Sequence, residues 1–158
     1  VNIIKVAKEI RKITKKYKVK FIINDNPAIS KIVNADGCHL GQNDGSIINS
    51  KNYLKKKIVG VTCHSSKLLA KIAIHNKADY LAFGSFYKSK LKPNAKRANM
   101  NILRWAKKNI KKPIVAIGGI NDSNYKKFIK SGAKYIAISS YIWDNPKLKP
   151  EFAIRKFK

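Results

Sequence analysis

Lys20-Phe-Ile-Ile-Asn-Asp25, followed by Ala35-Asp-Gly-Cys-His-Leu-Gly-Gln-Asn-Asp44, decides the fold. Each piece is a short apolar run that ends in a polar loop carrying an aspartate. Phe21–Ile23 and Cys38–Leu40 read as strands, and the intervening 28–34 is the length of a short helix, which makes a strand–helix–strand unit. In parallel α/β sheets the loops after the strands gather at one face, and sites are built there. Asp25 and Asp44 each follow the carboxyl end of a strand, so they are expected to converge. The chain has only eight acidic residues: Glu9, Asp25, Asp36, Asp44, Asp79, Asp122, Asp144 and Glu151. Two of them at neighbouring strand ends in a strongly basic protein predict a bound Mg2+ that itself holds phosphates.

Outward from that unit the same alternation continues. Ile3, Val6, Ala7, Ile10, Ile13 and Tyr17 recur at three- and four-residue spacing, predicting an amphipathic helix over 3–17. Strands are expected at 20–24, 37–40, 58–62, 80–84, 113–118 and 135–139. Helices are expected at about 28–34, 47–55, 65–77, 100–110 and 122–131. Asn121 or Asp122 is the expected cap of the last helix, and Gly132 its stop. The β-α-β-α order with β-branched strands predicts an α/β parallel sheet of the (β/α)8 TIM-barrel type. About six of the eight strands that such a barrel needs are countable. The chain also opens on a helix with no strand before it, and residue 1 is Val, so the expectation is one barrel domain over 1–158 that lacks an amino-terminal β-α-β segment through processing or an incomplete sequence, with a native open sheet as the alternative.

The 158 residues suffice for one core. A hydrophobic share of 44% excludes disorder, and no apolar run reaches the roughly 20 residues of a membrane span. The lysine-rich amino-terminal pattern contains no signal-like apolar stretch, so a cytoplasmic protein is expected. Cys38 and Cys63 lack metal-type spacing and are expected to be buried apolar positions. The net charge is +27, but arginine occurs only at 11, 97, 104 and 155. Lysine therefore carries the charge, and no segment combines arginine with exposed aromatics as nucleic-acid readers do. A lysine-rich exterior favours phosphorylated small molecules instead, and leaves room for a homo-oligomer.

Two later loops add chemistry. Val115-Ala-Ile-Gly-Gly-Ile-Asn121 ends a strand with paired glycines, whose N–H groups can approach an anion closely. Ile136-Ala-Ile-Ser-Ser-Tyr141 ends the next strand with serines ahead of a short helix. Barrels often hold phosphate at these last two loops, so Gly118, Gly119, Ser139 and Ser140 are phosphate candidates. The stretch 85–99 is long and basic, as active-site flaps often are. His39 within a strand and His75 within a helix are expected to be structural. His64, at a strand end, is a ligand candidate; Trp105 and Trp143 are expected to pack.

These motifs together resemble the thiamine phosphate synthase/TenI family of barrels. The matching pieces are Ile23–Asp25, Ala35–Asp44, Gly60-Val-Thr-Cys-His-Ser65, Ala78–Ser85, Pro113–Ile120 and Gly132–Ser140, in family order. The resemblance implies that Asp25 and Asp44 bind Mg2+, which holds the diphosphate of hydroxymethylpyrimidine diphosphate. It implies that Thr62, His64 and Ser65 line the diphosphate pocket and that Asn24 is substrate-binding. It places the thiazole phosphate on Gly118, Gly119, Ser139 and Ser140. Ser89 and Lys92 stand for a threonine and the lysine of the family's Pro-Thr-x-Thr-Lys loop, with Lys92 as the catalytic residue, while Leu91 replaces a hydroxyl. A Gln-x-Arg-x-Lys strand of the family would precede residue 1. The implied reaction joins the two heterocycles into thiamine phosphate and expels pyrophosphate. The family's other branch, a TenI-type thiazole tautomerase, has a histidine at the position of Ser85 and tends to lose the aspartate at Asp44, so both residues favour the synthase. A non-catalytic basic barrel binding phosphate or nucleic acid would need no paired aspartates.

Overall fold

In the computed structural model, residues 2–87 and 97–157 are described. Helix α1 (Ile3–Lys16) begins where the Asn2 side chain accepts the Lys5 N–H, an amino-terminal cap that the sequence carries outright. The chain then alternates β1 (Ile22–Asn24), α2 (Pro27–Ile32), β2 (Gly37–Leu40), α3 (Ile47–Leu54), β3 (Ile58–His64), α4 (Lys67–His75) and β4 (Tyr80–Phe83). After the basic loop come α5 (Met100–Asn109), β5 (Ile114–Ile117), α6 (Tyr125–Lys130), β6 (Tyr135–Ala137), α7 (Ser140–Trp143) and α8 (Pro150–Ile154). The six strands form one sheet in the order β1-β2-β3-β4-β5-β6. Sequential parallel strands separated by helices are the α/β barrel pattern expected above.

The chain divides into two compact units, Val1–Thr62 with Ile72–Asp79, and Cys63–Lys71 with Tyr80–Lys158. In the first, β1 pairs with β2 through Ile22–Gly37, and β2 with β3 through Gly37–Ile58, both parallel. Cys38, Leu40, Leu54 and Val59 make one cluster under α3; Ala7, Val33 and Ala35 make another with Phe21 and Ile23. In the second unit β4 pairs with β5 from Leu81–Ile114, and β5 with β6 from Val115–Tyr135. Its core holds Leu81, Phe83, Leu103 and Phe128, each fully buried.

One closing device recurs where helices turn back into strands. Asn34, Lys77 and Gly132 all adopt positive φ, at 50°, 64° and 116°. The next residue, Ala35, Ala78 or Ala133, donates its N–H to the carbonyl five residues back, on Ser30, Ala73 or Phe128. This is the Schellman closure, which satisfies orphan helix carbonyls. Each alanine is buried, and the strand starts two residues later. Lys18 at φ 55° and Val19 close α1 the same way onto Thr14.

Some expectations shift. The helix expected at 122–131 begins only at Tyr125, because the Asn121 side chain accepts the Ser123 and Asn124 N–H groups and holds an Asx turn instead. Of the apolar positions of α1 only Ala7 is buried, and Ile3, Val6, Ile10, Ile13 and Tyr17 are exposed. Trp143 is 72% exposed rather than packed, since the single turn of α7 buries Ile142 and turns its neighbour outward. Trp105 is partly buried, with the Lys67 ammonium 5.7 Å from its ring centroid.

Candidate active site

The first unit carries the paired aspartates. Asp25 directly follows β1 at φ 64°, and its N–H extends the ladder by donating to the His39 carbonyl at 2.7 Å. Asn26 then caps α2 by accepting the Ile29 N–H at 2.9 Å, so the turn is complete within two residues and the Asp25 side chain is exposed. After β2 the chain turns back on itself: Asp44 Oδ2 accepts the Gly41 N–H at 2.7 Å. That bond fixes one carboxylate oxygen and thereby aims the other. Both carboxylates act on the same buried group. Burial pushes the Cys38 thiol up to about 11, and the charges of Asp25 and Asp44 push it the same way. Burial pulls the His39 imidazole below its ordinary value, against the opposing pull of Asp44.

Thr62 lies near the end of β3, beside the aspartate-bearing strands. Its hydroxyl pairs with His39 Nε2 at 2.8 Å, and its carbonyl accepts from the Gln42 side-chain amide. His39, expected to be structural, and Gln42 thus both hold Thr62, a candidate binding residue. The signal was present in the two-residue strand period. Cys38 and Leu40 flank His39, and Val61 and Cys63 flank Thr62; all four flanking residues are buried, so the two polar side chains share the opposite face of adjacent strands.

The second unit holds the remaining candidates. His64 ends β3 at φ 50° with an exposed side chain, and its carbonyl accepts the Gly84 N–H at 3.0 Å. Ser65 is exposed, whereas Ser66 is occupied in accepting the Leu69 N–H in the first turn of α4. Gly118 and Gly119 have φ of 104° and 67°. A Cβ on Gly118 would lie 2.1 Å from Ser85 Oγ, and one on Gly119 2.4 Å from Tyr87 Cβ. The pair is thus required by the loop after β4, which sits on it, independently of any anion. Ser85 Oγ donates to the Tyr87 carbonyl at 2.6 Å, and the Tyr87 hydroxyl pairs with Lys127. Ser139 precedes α7 and Ser140 begins it; both are exposed, and Ser139, at the cap position, makes no side-chain cap bond. Ser89 and Lys92 lie outside the described residues.

In the first unit the structure brings Asn24, Asp25, Asp44 and Thr62 to the carboxyl ends of three consecutive strands. In the second, His64 and Ser65, Gly118 and Gly119, and Ser139 and Ser140 follow β3, β5 and β6. Strand ends are where a parallel barrel sheet gathers candidate site residues.

The thiamine monophosphate synthase (TMP-TENI) family matches residues 1–142. The chain belongs to that family. Its relatives include the thiamine-phosphate synthase of Pelagibacter ubique, 56% identical over 97% of this chain and 74% of the relative. The thiamine-phosphate synthase of Alcanivorax borkumensis is 43% identical over 84% of this chain and 61% of its own length. Among solved structures, the thiamine phosphate pyrophosphorylase of Pyrococcus furiosus superposes with a TM-score of 0.89 at 29% identity, over 98% of this chain and 73% of that one. The chain thus spans about three-fifths to three-quarters of the length of these family members. No helix among the described residues is long and apolar enough to cross a membrane.

Proposed function

We propose that the chain carries the site of a thiamine phosphate synthase, a transferase that condenses hydroxymethylpyrimidine diphosphate with thiazole phosphate to give thiamine phosphate and pyrophosphate in thiamine biosynthesis. The observation that carries this reading is the placement of Asp25 and Asp44 just after neighbouring strands, with Thr62 near the end of the third. The names of the family members above support it.

The donor set fits Mg2+. Both groups are hard carboxylate oxygens. Mg2+ is characteristically held by one or two carboxylates plus substrate phosphates and water, not by an all-protein cage. Asp25 and Asp44 would hold it. When bound, it would neutralise charge on the diphosphate leaving group.

This chain's residues do the rest by binding and orienting. Thr62, His64 and Ser65 hold the diphosphate, with Asn24 a further substrate-binding residue. Gly118, Gly119, Ser139 and Ser140 take the thiazole phosphate. In the reaction the thiazole nitrogen forms a bond to the pyrimidine methylene carbon as that carbon's bond to the diphosphate oxygen breaks, and the electron pair leaves on pyrophosphate. Lys92 meets that developing charge. No side-chain nucleophile is needed, because alignment and charge neutralisation supply the acceleration. Ser85 in place of a histidine argues against an isomerase on this frame.

Calorimetry of pyrophosphate binding with and without Mg2+ tests the reading. Binding is expected to require Mg2+, and Asp25→Asn or Asp44→Asn to weaken it by at least ~10–100-fold, since even residues that merely support metal ligands cost that much. Unchanged affinity in either variant defeats the metal assignment.

A further inference from the structure

We propose that His39 is a positioning residue: its Nε2–H donates to Thr62 Oγ1, which leaves the Thr62 hydroxyl hydrogen to a phosphate oxygen of the pyrimidine diphosphate. This rests on the reading of Thr62 as a diphosphate ligand.

The geometry fixes Thr62 from two sides. His39 Nε2 stands 2.8 Å from Oγ1, and the Gln42 amide donates to the carbonyl of the same residue. A threonine hydroxyl has one hydrogen to give and two lone pairs to offer. Phosphate oxygens only accept, so Thr62 serves a diphosphate only if its hydrogen is not spent on His39. An imidazole that donates from Nε2 meets that condition; one that accepts there would turn lone pairs toward the anion. The hydrogen-bond direction is therefore set by which His39 ring nitrogen carries the proton, and the proposal places it on Nε2. The shared strand face is the reason the pair forms: His39 on β2 and Thr62 on β3 are the polar positions between buried neighbours. β-Branching at Thr62 narrows its rotamer further.

The test uses pyrophosphate with Mg2+ as the probe and the variants Thr62→Val, His39→Leu, His39→Gln and the Thr62→Val/His39→Leu double. Thr62→Val and His39→Leu are each expected to weaken binding about 10-fold or more, the range of a hydrogen bond to a charged group. The double variant is expected to bind no more weakly than Thr62→Val alone, because His39 acts through that hydroxyl. His39→Gln, whose amide nitrogen reaches the place of Nε2, is expected to restore binding. Long-range 1H–15N correlation on the parent is expected to show Nε2 protonated.

Each contrary result has its own meaning. A parent chain without Mg2+-dependent binding, or a Thr62→Val variant that binds like the parent, overturns the diphosphate reading and His39's role with it. Thr62→Val weakened with His39→Leu unaffected overturns the positioning role alone. So do full additivity in the double variant and an unprotonated Nε2. A merely structural histidine would lower the unfolding temperature of His39→Leu without producing the coupling to Thr62.

Discussion

Asp36 precedes β2 and Asp25 follows β1, so the two carboxylates stand at opposite ends of neighbouring strands and do opposite work. Asp36 Oδ2 accepts the Arg11 guanidinium at 2.6 Å and the Phe21 N–H at 2.9 Å, tying α1 to the start of the sheet. Asp79, ahead of β4, repeats the arrangement with Lys51 and the Val59 N–H, each at 2.7 Å. Partial burial raises the Asp36 pKa, but the Phe21 bond, Arg11 and Lys20 outweigh it and hold the carboxyl below its ordinary 3.8. A depressed carboxylate contributes stability above the unfolded value and loses it as pH falls through the lower, folded one. Asp36→Ala is therefore expected to cost about 1–3 kcal/mol at pH 7, by stranding two donors. In urea titrations that deficit should shrink as pH drops below 3.8. A deficit independent of pH would remove the charge argument. At this scale the sequence was half legible. An apolar run followed by Asp marks Asp25 and Asp44, because strand ends are readable from hydrophobicity. Nothing local distinguishes the partners of Asp36, since Arg11 is 25 residues away. The His39–Thr62 pair was not legible locally, because Thr62 lies on the next strand, 23 residues on.

At the level of elements, the recurring helix closure explains which boundaries were readable. Gly132 announces its stop, because glycine is the usual left-handed residue. Lys18 and Lys77 announce nothing: their positive φ is imposed by the bond from the following residue back into the helix, against the residue's own preference. Such a residue stores strain that glycine relieves, offset by the greater freedom glycine gives the unfolded chain. Lys77→Gly is thus expected to stabilise the protein by about 0.5–1 kcal/mol. Thermal unfolding checks it, and a loss of stability would mean that the lysine side chain packs more usefully than its backbone strains. The late start of α6 has the same kind of cause. The sequence offers Asn121 or Asp122 as the helix cap, yet the Asn121 side chain accepts from Ser123 and Asn124 and spends three residues on a turn first. Side-chain-to-backbone bonds of this sort compete with a helix start, and residue type alone does not choose between them.

Across the whole molecule, strand order and strand count were legible, since sequential β-α repeats with short connections have few other solutions. The second role of the glycine pair was not. Ser85 and Tyr87 press on Gly118 and Gly119 only because β4 and β5 are neighbours, which makes those glycines obligatory before any ligand is considered. The charge of +27 sets a test of its own. Raising salt from about 0.1 M to about 1 M shortens the screening length from about 10 Å to about 3 Å. Pyrophosphate binding without Mg2+ is expected to disappear over that range, while the Mg2+-dependent component persists; if both fade alike, the lysine surface alone accounts for the anion.

The alanines that follow Asn34, Lys77 and Gly132 have a consequence for how such a chain can change. They are buried by one and the same closure although their helices differ in length, with six, nine and six residues. The entries to β2, β4 and β6 therefore share one fitting, whatever the preceding helix carries. Strand exits share no such standard: Asp25, Asp44 and Thr62 are each held by a different local contrivance. A substitution at one exit can therefore alter its own turn without disturbing the shared joints at these entries.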